Sequence, residues 1–345
     1  MEYKKWGAIA IFCIFSFTGF AQMKKIDEKK FFQDDRPVDM KLSTDIKKLL
    51  LEKNTLNYVD ASIHCVFPDS NAADAEVQIK PRGHFRKENC RLTPLAVNFK
   101  NEGSQLFSDL GSLKMVVGCG TRTMDDQALI KEYLTYKIYN IITDMSFRVR
   151  LLNVTYNDTR GKIKPYTQYA FLIEDMDEVA KRNKCKKREN FTYSHDNLQR
   201  DHTTMVYMFE YMIGNTDWSM PFYHNIKLMV SKEDSLSKPY PVAYDFDMTG
   251  LVNPRYGEPH PDLGLKNLQE RLYRGYPRTV AEIEDCVKIF LEKKDAVNAV
   301  ITECPYLNSE SKKEMTNFLN IFFNEISNKK NLKRLFVDTA LGQGQ

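Results

Sequence analysis

The sequence has no Cys-x-x-Cys pair and no two histidines at ligand spacing, which excludes the common zinc frameworks. It has little excess charge of either sign. A net +4 over 345 residues is too small for a nucleic-acid binder, and lysine and arginine are spread along the chain. The one short basic run, Lys184, Lys186, Lys187 and Arg188, has the composition of a solvated turn. No internal repeat or low-complexity tract is visible. What remains is an ordinary globular composition, 28% charged and 42% apolar, long enough for one large domain or two lobes.

Long hydrophobic runs are also missing, except at the start. Trp6 to Phe20 is almost continuously apolar, follows two lysines, and leads into Gly19-Phe20-Ala21. Residues 1–21 therefore read as a secretory signal cleaved after Ala21. The run is too short for a stable membrane span, so the mature chain is expected to be soluble and exported. Outside this segment lie six cysteines: Cys65, Cys90, Cys119, Cys185, Cys286 and Cys304. An even count in an exported chain is compatible with disulfides, with Cys90–Cys119 and Cys286–Cys304 the favoured pairs and buried free thiols the alternative.

Alternating β-formers occupy Tyr58–Phe67, Ala75–Lys80, Leu92–Phe99 and Leu113–Val117. Asp125-Asp126 opens a long helical pattern carrying Leu129, Ile130, Tyr133, Leu134, Ile138 and Ile141. Strand character returns at Arg148–Tyr156 and Tyr166–Ile173. Thereafter Met176–Arg182 and Thr203–Ile213 read as helices, His224–Val230 and Tyr240–Asp245 as strands, and residues from Thr279 to about Lys329 as mostly helical. The expected architecture is α+β and two-lobed. Residues 22–175 would form a β-rich N-terminal lobe, an antiparallel sheet with one helix packed on it. Residues 176–345 would form a helix-rich C-terminal lobe with the catalytic and metal segments.

Two segments carry candidate chemistry: Gly214-Asn215-Thr216-Asp217-Trp218 with His224-Asn225, and Tyr244-Asp245-Phe246-Asp247. Asp217 falls in a loop just after a helix that Gly214 should terminate. A carboxylate there can take a proton from a hydroxyl, although the ordinary task of a loop Asp is an Asx-turn. Asn225 opens an apolar strand, where an amide oxygen can join a carboxylate on Mg²⁺ or simply serve a turn. Asp245 and Asp247 leave a strand one residue apart and can reach one or two cations. A base-loop Asp, an amide eight residues later and an acidic strand end follow the order of a protein-kinase catalytic segment. With no His-Arg-Asp, Asp-Phe-Gly or Gly-x-Gly-x-x-Gly, the chain is not an ordinary protein kinase.

These two segments resemble the spore-coat-protein-H-like (CotH-type) atypical kinases. Further similarity lies in Arg82-Gly83, in Leu113-Lys114-Met115-Val116, in Asp126 with Lys131-Glu132, and in Ala170-Phe171-Leu172-Ile173-Glu174. The resemblance spans roughly residues 76–251 and implies an atypical-kinase-like fold using ATP with Mg²⁺ (or Mn²⁺). It implies Asp217 as catalytic base, and Asn225 and Asp245 as metal ligands with Asp247 a second contact. Lys114 would reach the nucleotide phosphates and be positioned by Glu132. Arg82-Gly83 would cover the phosphates, and Glu174 would line the adenine slot. Two departures are a longer Asp217-to-Asn225 gap and Trp218 in place of an Arg, compared with lipid-kinase relatives. The expected function is an exported phosphotransferase acting on a protein or small hydroxyl acceptor. The alternative is a binding or scaffold protein of the cell envelope without turnover. A metal-dependent glycosyl or hydrolytic enzyme using Asp245 and Asp247 ranks last.

Overall fold

The structure, a computed structural model, describes residues 28–342 except 54, 56, 84, 91, 100–104, 121–122, 190–191, 193 and 235. The candidate secretory segment lies outside the described residues. No helix among the described residues is long and apolar enough to cross a membrane.

Seven strands close into a barrel: β1 (Val38–Thr44), β2 (Val59–Val66), β3 (Ala72–Pro81), β4 (Leu95–Asn98), β5 (Ser112–Val117), β6 (Val149–Asp158) and β7 (Tyr166–Ile173). Their order is β1-β2-β3-β4-β5-β7-β6. Neighbours are antiparallel except β1 and β6, which run parallel with Val38 opposite Leu152 and Thr44 opposite Asp158. The period-two pattern of a strand fills the interior. β1 sends in Val38, Met40 and Leu42, and β3 sends in Ala73, Ala75, Val77 and Ile79. Phe31, from α1 (Glu28–Phe31), and Ile46 and Leu49, from α2 (Ile46–Leu51), join the same core. The short α3 (Phe85–Asn89) follows β3.

β5, β6 and β7 are apolar on both faces. Met115, Leu152 and Leu172 point into the barrel, while Val116, Leu151 and Phe171 point outward into a second core. Against that outer face packs α4 (Thr123–Ile142), which buries Leu129, Ile130, Tyr133, Leu134 and Ile138. The second core continues through α5 (Met176–Arg182), α6 (Arg200–Ile213), α7 (Val280–Glu292), α8 (Lys294–Thr302) and α9 (Ser309–Ser327). It also includes Leu228 and Val242 of an antiparallel three-stranded sheet, ordered β10 (Tyr240–Ala243), β9 (Ile226–Ser231), β8 (Cys185–Arg188).

The two-lobed kinase-like arrangement expected from sequence is therefore corrected. The chain is α+β, but it is a closed seven-stranded barrel with a small sheet and helices, not two lobes joined near residue 175. The physical reason lies in β1. Its parallel pairing with β6 turns an open antiparallel sheet into a closed one. The outer faces of β5–β7 then share one core with the helices beyond residue 176. Of the two favoured cysteine pairs, Cys90–Cys119 is a disulfide, whereas Cys286 and Cys304 are buried free thiols.

Candidate functional site

The site starts at the end of α6. Gly214 takes the left-handed conformation (φ 65°) that stops the helix, and its N–H caps the Glu210 and Tyr211 carbonyls. A Cβ there would lie 2.9 Å from the Phe318 ring, so the position also demands glycine sterically. The following loop is held from several sides. Asn215 bridges to Thr249, and the Gly250 N–H donates to the Gly214 carbonyl at 3.1 Å. Arg274 donates to the Thr216 carbonyl and, at 2.9 Å, to the Trp218 carbonyl.

Asn215, rather than Asp217, makes the Asx-turn: its Oδ1 accepts the Asp217 N–H at 2.9 Å. The Asp217 carboxylate is thereby released from the usual task of a loop Asp. It is half exposed, with His224 Nε2 at 3.0 Å from Oδ1 and Asn225 Nδ2 donating to Oδ2 at 3.2 Å. Asn225 Nδ2 also donates to the Asp217 carbonyl at 2.6 Å, and the Asn225 carbonyl accepts the Tyr244 N–H at 3.0 Å. Asn225 thus touches the base loop with its side chain and the neighbour of Asp245 with its main chain.

Asn225 (φ 55°) and Asp245 (φ 67°) both adopt left-handed backbone, which costs free energy for residues with a Cβ. Surrounding contacts impose it. The Asp245 N–H donates to Tyr136 Oη at 2.8 Å, and Phe246 is sealed among Tyr136, Tyr139 and Phe209. Asp245 is an exposed residue, although the protein beneath it partly encloses its carboxylate. That enclosure, reinforced by Asp247, pushes its pKa up to about 6 against the pull of Arg86, Arg82 and Lys114. Asp247 is differently employed. It accepts from Arg86 Nε at 2.8 Å and from Tyr256 Oη at 3.2 Å.

Arg86 is the organiser that sequence reading missed. Its Nη2 donates to Glu132 Oε2 at 2.6 Å, while Glu132 Oε1 is buried without a hydrogen-bond partner. Burial pushes the Glu132 carboxyl upward and Arg86 opposes this. Glu132, expected to position Lys114, is instead held by Arg86. The partners of Arg86 lie 46 and 161 residues away, so no local spacing announces them. Arg274 and Tyr136 were also missed, for the same reason.

Lys114 lies beside Tyr244 and Asp245. Its Nζ lies 4.7 Å from the centre of the Tyr244 ring, and Lys227 approaches the same ring at 5.5 Å. Burial, followed by the charge of Arg82, lowers the Lys114 pKa to about 8, and Asp245 partly opposes both. Arg82 is anchored through its N–H to the Pro94 carbonyl at 2.9 Å, and Gly83 takes φ 84° with open space around its missing Cβ. Glu174 is committed elsewhere: Arg182 Nε donates to it at 3.0 Å and the Arg148 N–H at 2.9 Å. The fold therefore joins Asp217 to Asn225, brings Asp245, Asp247, Lys114 and Arg82 within reach of one another's charge, and links the two groups through the main-chain bond from Tyr244 to Asn225; Glu132 is held by Arg86 and Glu174 by Arg182 and Arg148.

Among the described residues no group of three or more His, Cys, Asp and Glu side chains is arranged to hold a metal ion. Mg²⁺ beside a nucleotide needs less, because it takes one or two carboxylates and completes its shell with phosphate oxygens and water. The donor chemistry fits that pattern. Asp245 is a carboxylate near the charges of Arg86, Arg82 and Lys114, and the residue before it is bonded through its main chain to Asn225, whose side chain carries an amide oxygen. No protein-family model matches the chain, and a search of curated proteins finds no match.

Proposed function

We propose that this protein is an exported, Mg²⁺-dependent phosphotransferase that moves the terminal phosphoryl group of ATP to a hydroxyl acceptor. The observation that carries this reading is the junction made by Asn225, which ties the base loop at Asp217 to the acidic strand end at Asp245. The resemblance of these segments to CotH-type kinases supports it, and the Cys90–Cys119 disulfide suits an oxidising compartment.

Asp217 accepts the acceptor's hydroxyl proton as the oxygen–phosphorus bond forms and the bond to the ADP leaving oxygen breaks. His224 and Asn225 hold one carboxylate oxygen each, so the base is oriented before substrate arrives. Lys114 and Arg82 attract the phosphates to the Asp245 end of the strand and balance their charge. Asp245 and the Asn225 amide oxygen would hold Mg²⁺, which supplies charge neutralisation to the phosphates. Asp247 keeps Arg86, and through Arg86 the helix α4, in register with Asp245.

The test is Mg²⁺-dependent ATP consumption or autophosphorylation. Asp217→Ala should lower turnover about 10²–10⁴-fold with little effect on nucleotide affinity. Asp245→Ala should abolish the thermal shift given by ATP with Mg²⁺, which at 100 times Kd corresponds to about 2.7 kcal/mol. Phosphate transfer untouched by both substitutions would end this assignment.

A further inference from the structure

Beneath the base loop lies a carboxyl that the proposed chemistry does not use. Glu210 stands on the last turn of α6 and is buried, as is Asn215. The two are tied through the main chain, the Asn215 N–H donating to the Glu210 carbonyl at 2.8 Å. The Asn215 side chain is then held at one end only. Its Oδ1 accepts the Asp217 N–H at 2.9 Å, whereas Nδ2 is buried with no hydrogen-bond partner among the described residues. Both carboxylate oxygens of Glu210 are in the same condition. Burial pushes the Glu210 pKa up, and the Asn215 side chain is the first influence to oppose it. The charge of Asp217 then adds to the rise and Arg274 opposes it. The Asn215 amide, Asp217 and Arg274 thus act together on one buried acid.

The Asn215 amide has one workable orientation. Turned over, it would present Nδ2 to the Asp217 N–H, donor to donor. In the orientation seen, Nδ2 needs an acceptor, and the Glu210 carboxyl is the one at hand. A buried acid with idle oxygens costs the fold stability. Such local costs are expected where a site depends on them. We infer that Glu210 is a positioning residue for Asp217: its carboxyl faces the Nδ2 end of the Asn215 amide, keeps Oδ1 turned to the Asp217 N–H, and so holds the base loop in place. The inference takes its purpose, though not its geometry, from the phosphotransfer reading. Glu210 touches no reacting atom and acts through Asn215.

The experiment follows hydrogen–deuterium exchange of residues 214–219 in the full chain without nucleotide. Glu210→Met fills similar space without an oxygen acceptor. Because a buried acid is removed, its urea midpoint should not fall below the parent's. The segment should nevertheless exchange about fivefold or more faster, roughly the worth of one hydrogen bond. A merely structural role would lower the midpoint and leave no difference confined to this segment. Glu210→Gln restores an oxygen acceptor and should exchange as the parent does. With ATP and Mg²⁺, Glu210→Met should lower kcat about tenfold or more at unchanged KM for ATP, while Glu210→Gln keeps the parent's kcat. Unchanged exchange in Glu210→Met overturns the inference, and so does loss of its fold, which would confine the carboxyl to a structural part. Faster exchange in Glu210→Gln, or a kcat untouched by Glu210→Met, overturns it as well. If the exchange pattern is as expected but the parent transfers no phosphate, the positioning stands and the phosphotransfer reading falls.

Discussion

Glu210 shows how far one side chain can depart from its ordinary chemistry in this protein. It is 1% exposed on α6, and neither carboxylate oxygen has a hydrogen-bond partner. Burial pushes its pKa up to about 8, and the nearby Asn215 side chain offsets this only in part. The folded protein thus keeps a proton that the unfolded chain releases near pH 4.5. Between those values the native state binds more protons, so stability falls as pH rises. Glu210→Gln retains the shape and removes the titration. In urea unfolding it should be more stable than the parent by about 3 kcal/mol at pH 7, with the gain vanishing near pH 4.5. An unchanged pH slope would show that Glu210 is ionised in the fold. In the sequence Glu210 is an acid within the 203–213 helical pattern. Its isolation depends on tertiary burial, which spacing does not reveal.

At the scale of elements, the disulfide and α3 act together. Cys90 follows α3 directly, its N–H donates to the Arg86 carbonyl at 2.9 Å, and Cys119 lies just beyond β5. The bridge therefore fastens the short helix that carries Arg86 to the strand that carries Lys114. Closing a 29-residue separation constrains the unfolded chain by about 3–4 kcal/mol in the loop-entropy account. Cys90→Ser/Cys119→Ser should lose roughly that stability in denaturant unfolding. It should also weaken ATP–Mg²⁺ binding, because Arg86 no longer fixes Asp247 beside Asp245. Lost stability with nucleotide binding intact would confine the bridge to a purely structural part. Most elements were legible in the chain. The alternation of β2 to β7, the 3.6-residue stripe of α4 and the Gly214 stop of α6 are local patterns and reappear at nearly the same bounds. β1 was passed over, although Val38, Met40 and Leu42 alternate as clearly as any. β8 was hidden by its lysines, which belong to an exposed edge.

For the whole molecule, the decisive fact is that three strands serve two cores. A residue of β5, β6 or β7 faces the barrel interior or the helical layer according to its parity, as Leu151 and Leu152 do within β6. This is also why the expected boundary near residue 175 does not separate the molecule, and why long-range closure by β1 could not be read from neighbours in sequence. Asp217, Asn225 and Asp245 each sit at an element end that local pattern marks. The bonds that join Asn225 to Asp217 and to Tyr244, by contrast, depend on how the elements pack. Shared strands couple the two cores energetically, because losing either one strips packing from the same β5–β7 backbone. Leu42→Ala empties space inside the barrel and Phe322→Ala empties space in the helical core. Each should cost about 2–5 kcal/mol. Each should lower one and the same unfolding transition, seen equally by far-UV circular dichroism and by aromatic near-UV signal. Two separable transitions, one moved by Leu42→Ala and the other by Phe322→Ala, would mean that the barrel and the helical layer unfold independently. The site at their junction would then open with the weaker of the two.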